Sequence, residues 1–280
     1  MNARLSRLLS NSTLHVLLVV IAVVWLVPTV GLFVTSWRPR PDIFGSGWWT
    51  AFVTLRFTAE NYIEVFTAQG LGQNFLNSLA ITLPGTILPV LIGALAAYGF
   101  AWLRFPGRDW IFLIVVGLLV VPIQMTFVPA LQLASRLKLT HSLLGIWLVH
   151  TAYGLPFAIF LLRNFFAALP RDLIEAAKMD GASDLDVFGR IVLPLSVPAM
   201  ASLTIFQFLW VWNDLLTALI YVQDPKLLPM TVGIAKLIST YGQEWHLLSA
   251  ASFILMAVPL VIFFSLQRYF VQGILAGSVK

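Results

Sequence analysis

Polar side chains inside long apolar stretches are the places where this 280-residue sequence could do chemistry. Gln207, Trp210, Val211 and Asp214 recur at the helical spacing i, i+3, i+4 and i+7, so they share one face, with Asn213 beside them. A carboxylate and amides next to an indole suit a sugar, whose hydroxyls take the hydrogen bonds while the ring face takes the stack. The same pattern suits packing between helices, with Asp214 at an outer interface, and spacing does not separate the two readings. Gln124 is a candidate of the same kind, and so are Asn74 and Asn77. One rule covers them all: a polar group in hydrocarbon is costly and turns toward protein or water. Catalysis finds no such footing. His15, His141, His150 and His246 fall at no metal-ligand spacing, and the absence of cysteine excludes disulfides, thiolates and cysteine metal sites. No Gly-x-x-x-x-Gly-Lys phosphate loop occurs, so ATP has no site of that type here. The expectation is a non-catalytic chain, with no metal and no cofactor of its own.

A second kind of chemistry, the docking of a partner, is suggested by residues 170–194, PRDLIEAAKMDGASDLDVFGRIVLP. This is the longest charge-dense interval in the second half of the chain. Pro170 suits a first helical position, and Asp172 favours the positive end of that helix. Leu173, Ala176 and Ala177 give it an apolar stripe, and Gly181 ends it. Ser183 and Asp186 form a capping box for a second helix through Val187 and Ile191, which Pro194 stops. On physical grounds the interval reads either as a polar loop on a membrane surface or as a docking element for a soluble partner.

Glu175, Ala176 and Ala177, then three residues, Gly181, nine residues, Ile191, one residue, and Leu193-Pro194 resemble the EAA loop of bacterial ABC-importer permeases. Trp212-Asn213-Asp214 and the tail Gln267-Arg268-Tyr269-Phe270-Val271-Gln272-Gly273 are similar to the carbohydrate-uptake, maltose-type permeases. The resemblance covers nearly the whole chain. It implies an inner-membrane subunit with six transmembrane helices in the type I ABC-importer permease fold. It also implies a sister permease subunit, two copies of an ATPase subunit that carry the ATP and Mg, and an extracytoplasmic sugar-binding protein. In that family the helix before the glycine rests in a cleft of the ATPase subunit, and its glutamate pairs with a basic residue there. Glu175, Ala176, Ala177, Gly181, Ile191, Leu193 and Pro194 are thus the expected coupling residues.

The elements that would hold these residues are legible from hydropathy. Hydrophobic residues make up 59% and charged ones only 10% of the chain; mean hydropathy is +0.90. The apolar residues come in blocks of spanning length, which predicts an all-α polytopic membrane protein in one domain over 1–280. The spans fall at about 14–35, 73–102, 110–133, 143–162, 195–216 and 247–266. The first is too long for a signal peptide and is followed by more spans. Pro28 is expected to bend it, and Pro84, Gly85 and Pro89 to kink or break the second. Pro122, Gln124 and Pro129 fall in the outer half of the third. Trp37, Trp48 and Trp49 suit the membrane interface, residues 60–66 a short surface helix, and 217–246 a polar connection.

The net charge of +5 is spread thinly over loops, so anionic lipid rather than nucleic acid is the expected partner. With the N-terminus inside, Arg4, Arg7, Arg104, Arg108, Arg163, Arg171, Lys178, Arg190, Arg268 and Lys280 lie on inner segments. Arg38, Arg40, Arg56, Arg136, Lys138, Lys226 and Lys236 lie on outer ones; ten against seven agrees with the positive-inside rule. The resemblance implies the same topology, both termini and the 170–194 loop in the cytoplasm of a bacterial or archaeal cell. An autonomous secondary transporter would need coupling charges within the spans, where only Asp214 offers itself. A membrane scaffold without transport is the other alternative, and neither explains the complete loop pattern.

Overall fold

The computed structural model describes residues 3–241 and 244–278, with side chains over 13–238, 244–265 and at 267. The side chains of Arg4, Arg7, Arg268 and Lys280, and those of tail positions 269–273, lie outside the described residues. Among the described residues every regular element is helical: α1 (Ala3–Ser36), α2 (Arg40–Gly45), α3 (Ala51–Thr54), α4 (Glu60–Thr67), α5 (Leu71–Trp102), α6 (Arg108–Gly117), α7 (Ile123–Arg136), α8 (Leu143–Ala167), α9 (Arg171–Met179), α10 (Asp184–Val187), α11 (Leu193–Leu195), α12 (Val197–Trp212), α13 (Leu216–Tyr221), α14 (Met230–Tyr241) and α15 (Trp245–Ser278).

Among the described residues four helices are long and apolar enough to cross a membrane: Thr13–Ser36 within α1, α5, α8, and Trp245–Ser265 within α15. Two bent pairs complete six: Arg108–Val120 with α7 at 103°, and Asp184–Leu195 with α12 at 77°. Asp184–Leu195 carries Asp184, Asp186 and Arg190, so it belongs with the polar loop, and α12 is the apolar span.

The breaks fall elsewhere than the prolines of the second span suggest. Helix α5 runs unbroken through Pro84 and Pro89. The carbonyls that these prolines leave without an N–H find side-chain donors in α8 and α12. Helix α1 likewise runs on through Pro28. The third segment, read as one span over 110–133, is instead interrupted at Val121 (φ −73°, ψ 120°) and Pro122 (φ −61°, ψ 121°). A residue ahead of proline is pushed out of the helical region, and Pro122 has no N–H with which to continue the ladder. The 217–246 connection is no plain polar loop either. It contains α13 and α14, and Ala218, Tyr221 and Val222 at α13 are buried with Ile81, Ile146 and Val211.

The chain divides into two compact units. In the first, residues up to Gly72 together with Ile234–Ile254, the turn after α1 is organised by a buried arginine. Arg38 is 2% exposed and donates to the carbonyls of Asp42 and Ser46 and to the hydroxyls of Ser46 and Thr50. Asn61 of α4 donates to the carbonyls of Ser36 and Arg38 at 2.8 and 2.9 Å. A buried cation calls for hydrogen-bond acceptors of this kind around it. Trp48 lies against Gly31, where a Cβ would come within 2.8 Å of its Nε1, while Trp49 is exposed.

In the second unit, Gln73–Gly233 with the chain from Leu255 onward, helices approach through small residues. A Cβ on Gly93 would sit 2.7 Å from that of Ala158, and one on Gly154 would sit 2.6 Å from the Gln207 amide. Such contacts let backbones of membrane helices come close where lipid offers no hydrophobic drive. One core joins α5, α8 and α12 to the 170–194 loop; a second joins α5, α7, α8 and α12 to α13.

Candidate functional site

The 170–194 loop is built by local signals. Helix α9 begins at Arg171, with Pro170 (φ −60°, ψ 125°) one position outside it rather than at its first residue. Its end is a Schellman turn: the N–H of Ala182 bonds the carbonyl of Ala177 at 3.0 Å and that of Gly181 bonds Lys178 at 3.1 Å. Gly181 takes φ +86°, and a Cβ there would meet nothing within 4 Å, so backbone conformation alone calls for glycine. The Ser183–Asp186 capping box forms and starts α10. A π-helical turn, Phe188–Val192, carries the chain into α11, so the turn into the next span falls at Ser196, past Pro194.

The loop has two faces. Inward, Ile174, Val187, Phe188 and Val192 are buried against Tyr98 of α5, Phe166 of α8 and Leu203 of α12, with Ala177, Ile191 and Leu193 half-buried beside them. The apolar stripe is therefore Ile174 and Ala177; Leu173 and Ala176 are exposed, because the helix is rotated to seat the branched Ile174 in the core. Outward, Asp172, Glu175, Ala176 and Met179 lie on the opposite face, and Met179 is 89% exposed. Among the described residues Glu175 makes no ion pair. Asp184 ties the loop down: it accepts from Lys178 at 2.7 Å and from the Tyr98 hydroxyl at 3.2 Å. The hydrogen bond from the Lys178 ammonium holds the Asp184 carboxyl below the usual carboxylate range.

The predicted face of α12 divides. Gln207 and Val211 are 2% and 4% exposed and pack into the bundle, Gln207 donating to the Gly85 carbonyl at 3.1 Å. Trp210, 40% exposed, lines a cavity of about 520 Å³ together with Leu118, Tyr153, Phe157, Phe206 and the edge of Gln207. Asn213 is exposed and folds its amide back on the Leu209 carbonyl. Asp214 accepts the Thr217 N–H at the start of α13, and its other oxygen stands 3.7 Å from the buried His150 Nε2. Gln124 is exposed and stands outside the cavity lining. Asn74 and Asn77 donate to carbonyls of 226–229 and so pin that turn.

Composition did not point to Thr126, Tyr153 and Tyr221, whose hydroxyls form a chain beside the cavity at 2.8 and 3.1 Å. Nor did it point to His150, although its spacing from Trp147 and Gly154 on one face of α8 was available.

The family model for the binding-protein-dependent transport system inner membrane component matches residues 89–276. The chain belongs to this family. Among curated relatives, an osmoprotective compounds uptake permease protein of Synechocystis is 52% identical over 272 residues, covering 95% of this chain and 91% of the relative. An alpha-glucoside transport system permease protein of Rhizobium meliloti is 52% identical over 238 residues, 82% of this chain and 62% of that protein. A chain of a bacterial ABC transporter involved in the import of alginate superposes with a TM-score of 0.77 at 21% identity, covering 96% of this chain and 99% of that one. At that identity the likeness shows the fold, the ABC-importer permease fold.

As a permease of this family the chain is a multi-pass membrane transport component. The match covers the 170–194 loop and α12, on which most of the residues expected from the sequence to couple or to line a path lie. Membership sets aside both an autonomous carrier and a scaffold.

Proposed function

We propose that this chain is one permease half of an ATP-driven importer of glucosides, coupled to ATPase subunits through the outward face of α9. The observation that carries this reading is the two-faced loop. Glu175 and Met179 point away from the protein, while Ile174, Val187 and Phe188 fuse the same element to α5, α8 and α12. A force on the outer face therefore moves three spans as one body. Packed cores transmit displacement of this kind because they are not continuously deformable.

The complete machine in this proposal has a sister permease, two ATPase copies and an extracytoplasmic sugar-binding protein. ATP and Mg bind in the ATPase subunits; this chain is non-catalytic. Closure of the ATPase pair swings the spans from inward- to outward-facing. Both termini and the 170–194 loop lie on the cytoplasmic side. The glucoside class is supported by the name of one 52%-identical relative, the alpha-glucoside transport system permease protein. Trp210 and the cavity beside it form part of the path.

The test is to purify the assembled complex and screen which solute, delivered by its binding protein, stimulates ATP hydrolysis. A glucoside should stimulate it in proteoliposomes and accumulate inside. Hydrolysis that responds to no binding protein, or uptake without any ATPase subunit, would overturn the reading.

A further inference from the structure

Proline has no N–H, so the carbonyl four residues before it loses its ordinary helical partner. In hydrocarbon there is no bulk water to replace that partner, and a donor from a neighbouring helix is one way to satisfy the carbonyl. Three prolines inside helices share one solution. Pro84 releases the Ala80 carbonyl, and Trp147 Nε1 of α8 donates to it at 2.8 Å. Pro89 releases the Gly85 carbonyl, and Gln207 Nε2 of α12 donates to it at 3.1 Å. Pro259 releases the Leu255 carbonyl, and Trp212 Nε1 of α12 donates to it at 2.9 Å.

The arrangement is built for these bonds. Gln207 is 2% and Trp212 1% exposed. Gly154 leaves the space that the Gln207 amide occupies; a Cβ there would come within 2.6 Å of Nε2. Gly85 itself is flanked by Val211 and His150, so the released carbonyl sits where α5, α8 and α12 meet. The two released carbonyls of α5 are five residues apart, which separates them by about 140° around the helix axis. One therefore faces α8 and the other α12.

We propose that Gln207, with Trp147 and Trp212, is a positioning residue: each side chain splices a proline-containing helix to its neighbour, so that α5, α8 and α12 answer the coupling loop together, and Gln207 is not a ligand for the solute. This rests on the chain being a permease half. Two readings of Gln207 now make different predictions. A solute ligand depends on what passes, and its loss cannot be repaired from α5. A splice depends on Pro89, and its loss is repaired by returning an N–H to position 89.

The experiment is a double-mutant cycle of Gln207→Leu with Pro89→Ala in the complete reconstituted complex. Uptake per assembled complex is measured against solute concentration, and the thermal midpoint of the complex without solute. Gln207→Leu should lower the maximal rate by roughly tenfold, the scale of one unpaired buried carbonyl, with the half-saturating concentration unchanged. Pro89→Ala should bring the double variant to within about twofold of Pro89→Ala alone and restore its midpoint, as expected when the released carbonyl regains a helical N–H. An unrepaired rate, or a raised half-saturating concentration, overturns the proposal, as does wild-type behaviour of Gln207→Leu. If Gln207→Leu does not assemble, recovery of assembly by Pro89→Ala supports the proposal and no recovery overturns it. Trp147→Phe with Pro84→Ala repeats the cycle at the second splice. The thermal cycle uses no solute, so it stands apart from the wild-type ATPase assay on which the permease reading is judged.

Discussion

The Tyr98 hydroxyl, near the end of α5, donates to Asp184 of the 170–194 loop at 3.2 Å, so a span and the loop proposed to drive it are joined by a polar clasp as well as by their shared core. Lys178 closes the clasp from α9 at 2.7 Å. The ion pair is half exposed and worth at most about 1 kcal/mol. Its interest is in geometry, because it fixes α9 against α10 and both against α5.

Removing the clasp should loosen coupling before it harms folding. Tyr98→Phe and Asp184→Asn complexes should assemble, with less uptake per ATP hydrolysed than wild type. The pH dependence has a definite sign. The Asp184 carboxyl is held below the ordinary aspartate value of 3.8, so its stabilising contribution is complete above that value and is lost as pH falls through the lower folded value. Between pH 6 and 8 the wild-type ratio should therefore not change on account of this residue. A ratio for Asp184→Asn equal to wild type would remove the clasp from the coupling route.

The outer face of α9 should be separable from its scaffold. Gly181→Leu forces a side chain into φ +86°, at a cost of roughly 1–2 kcal/mol, and should displace Glu175 and Met179 together. Met179→Glu and Glu175→Ala alter exposed positions and should change stability by less than about 0.5 kcal/mol. All three should reduce capture of the ATPase subunit in a pull-down while membrane insertion persists. Undiminished capture with normal uptake would show that the partner docks elsewhere.

Topology can be read by labelling, since the chain has no cysteine. Ala59 and Ser183 are both exposed. Ala59→Cys should react with an impermeant thiol reagent in intact cells and Ser183→Cys only after permeabilisation. The reverse pattern would invert the orientation.

Val211 and Trp210, adjacent in sequence, should behave differently. Val211 is 4% exposed, and its Cγ1 would lie 3.2 Å from a Cβ on Gly85. Val211→Trp should overpack the bundle by about 1–3 kcal/mol and lower the yield of assembled complex. Trp210→Ala removes a cavity wall and should leave yield intact while altering uptake per complex. Equal uptake for Trp210→Ala, normalised to complex, would take this cavity out of the path.

The features that the sequence determined by itself are those whose causes lie within a few residues. Gly181 had to be left-handed because it follows α9 with no other stop signal. Ser183 and Asp186 cap α10 because a three-residue spacing suffices for both bonds. The spans follow from hydropathy, since lipid admits only backbones that satisfy themselves. What the tertiary structure decided depended on partners far along the chain. Ile174 rather than Leu173 turned inward because the rotation of α9 is set by Tyr98, Phe166 and Leu203. Pro122 interrupts its segment, whereas α5 runs on through Pro84 and Pro89, where Trp147 and Gln207 bring donors to the released carbonyls from 67 and 122 residues away. A proline announces that a carbonyl is released; only packing says whether another helix brings a donor to it.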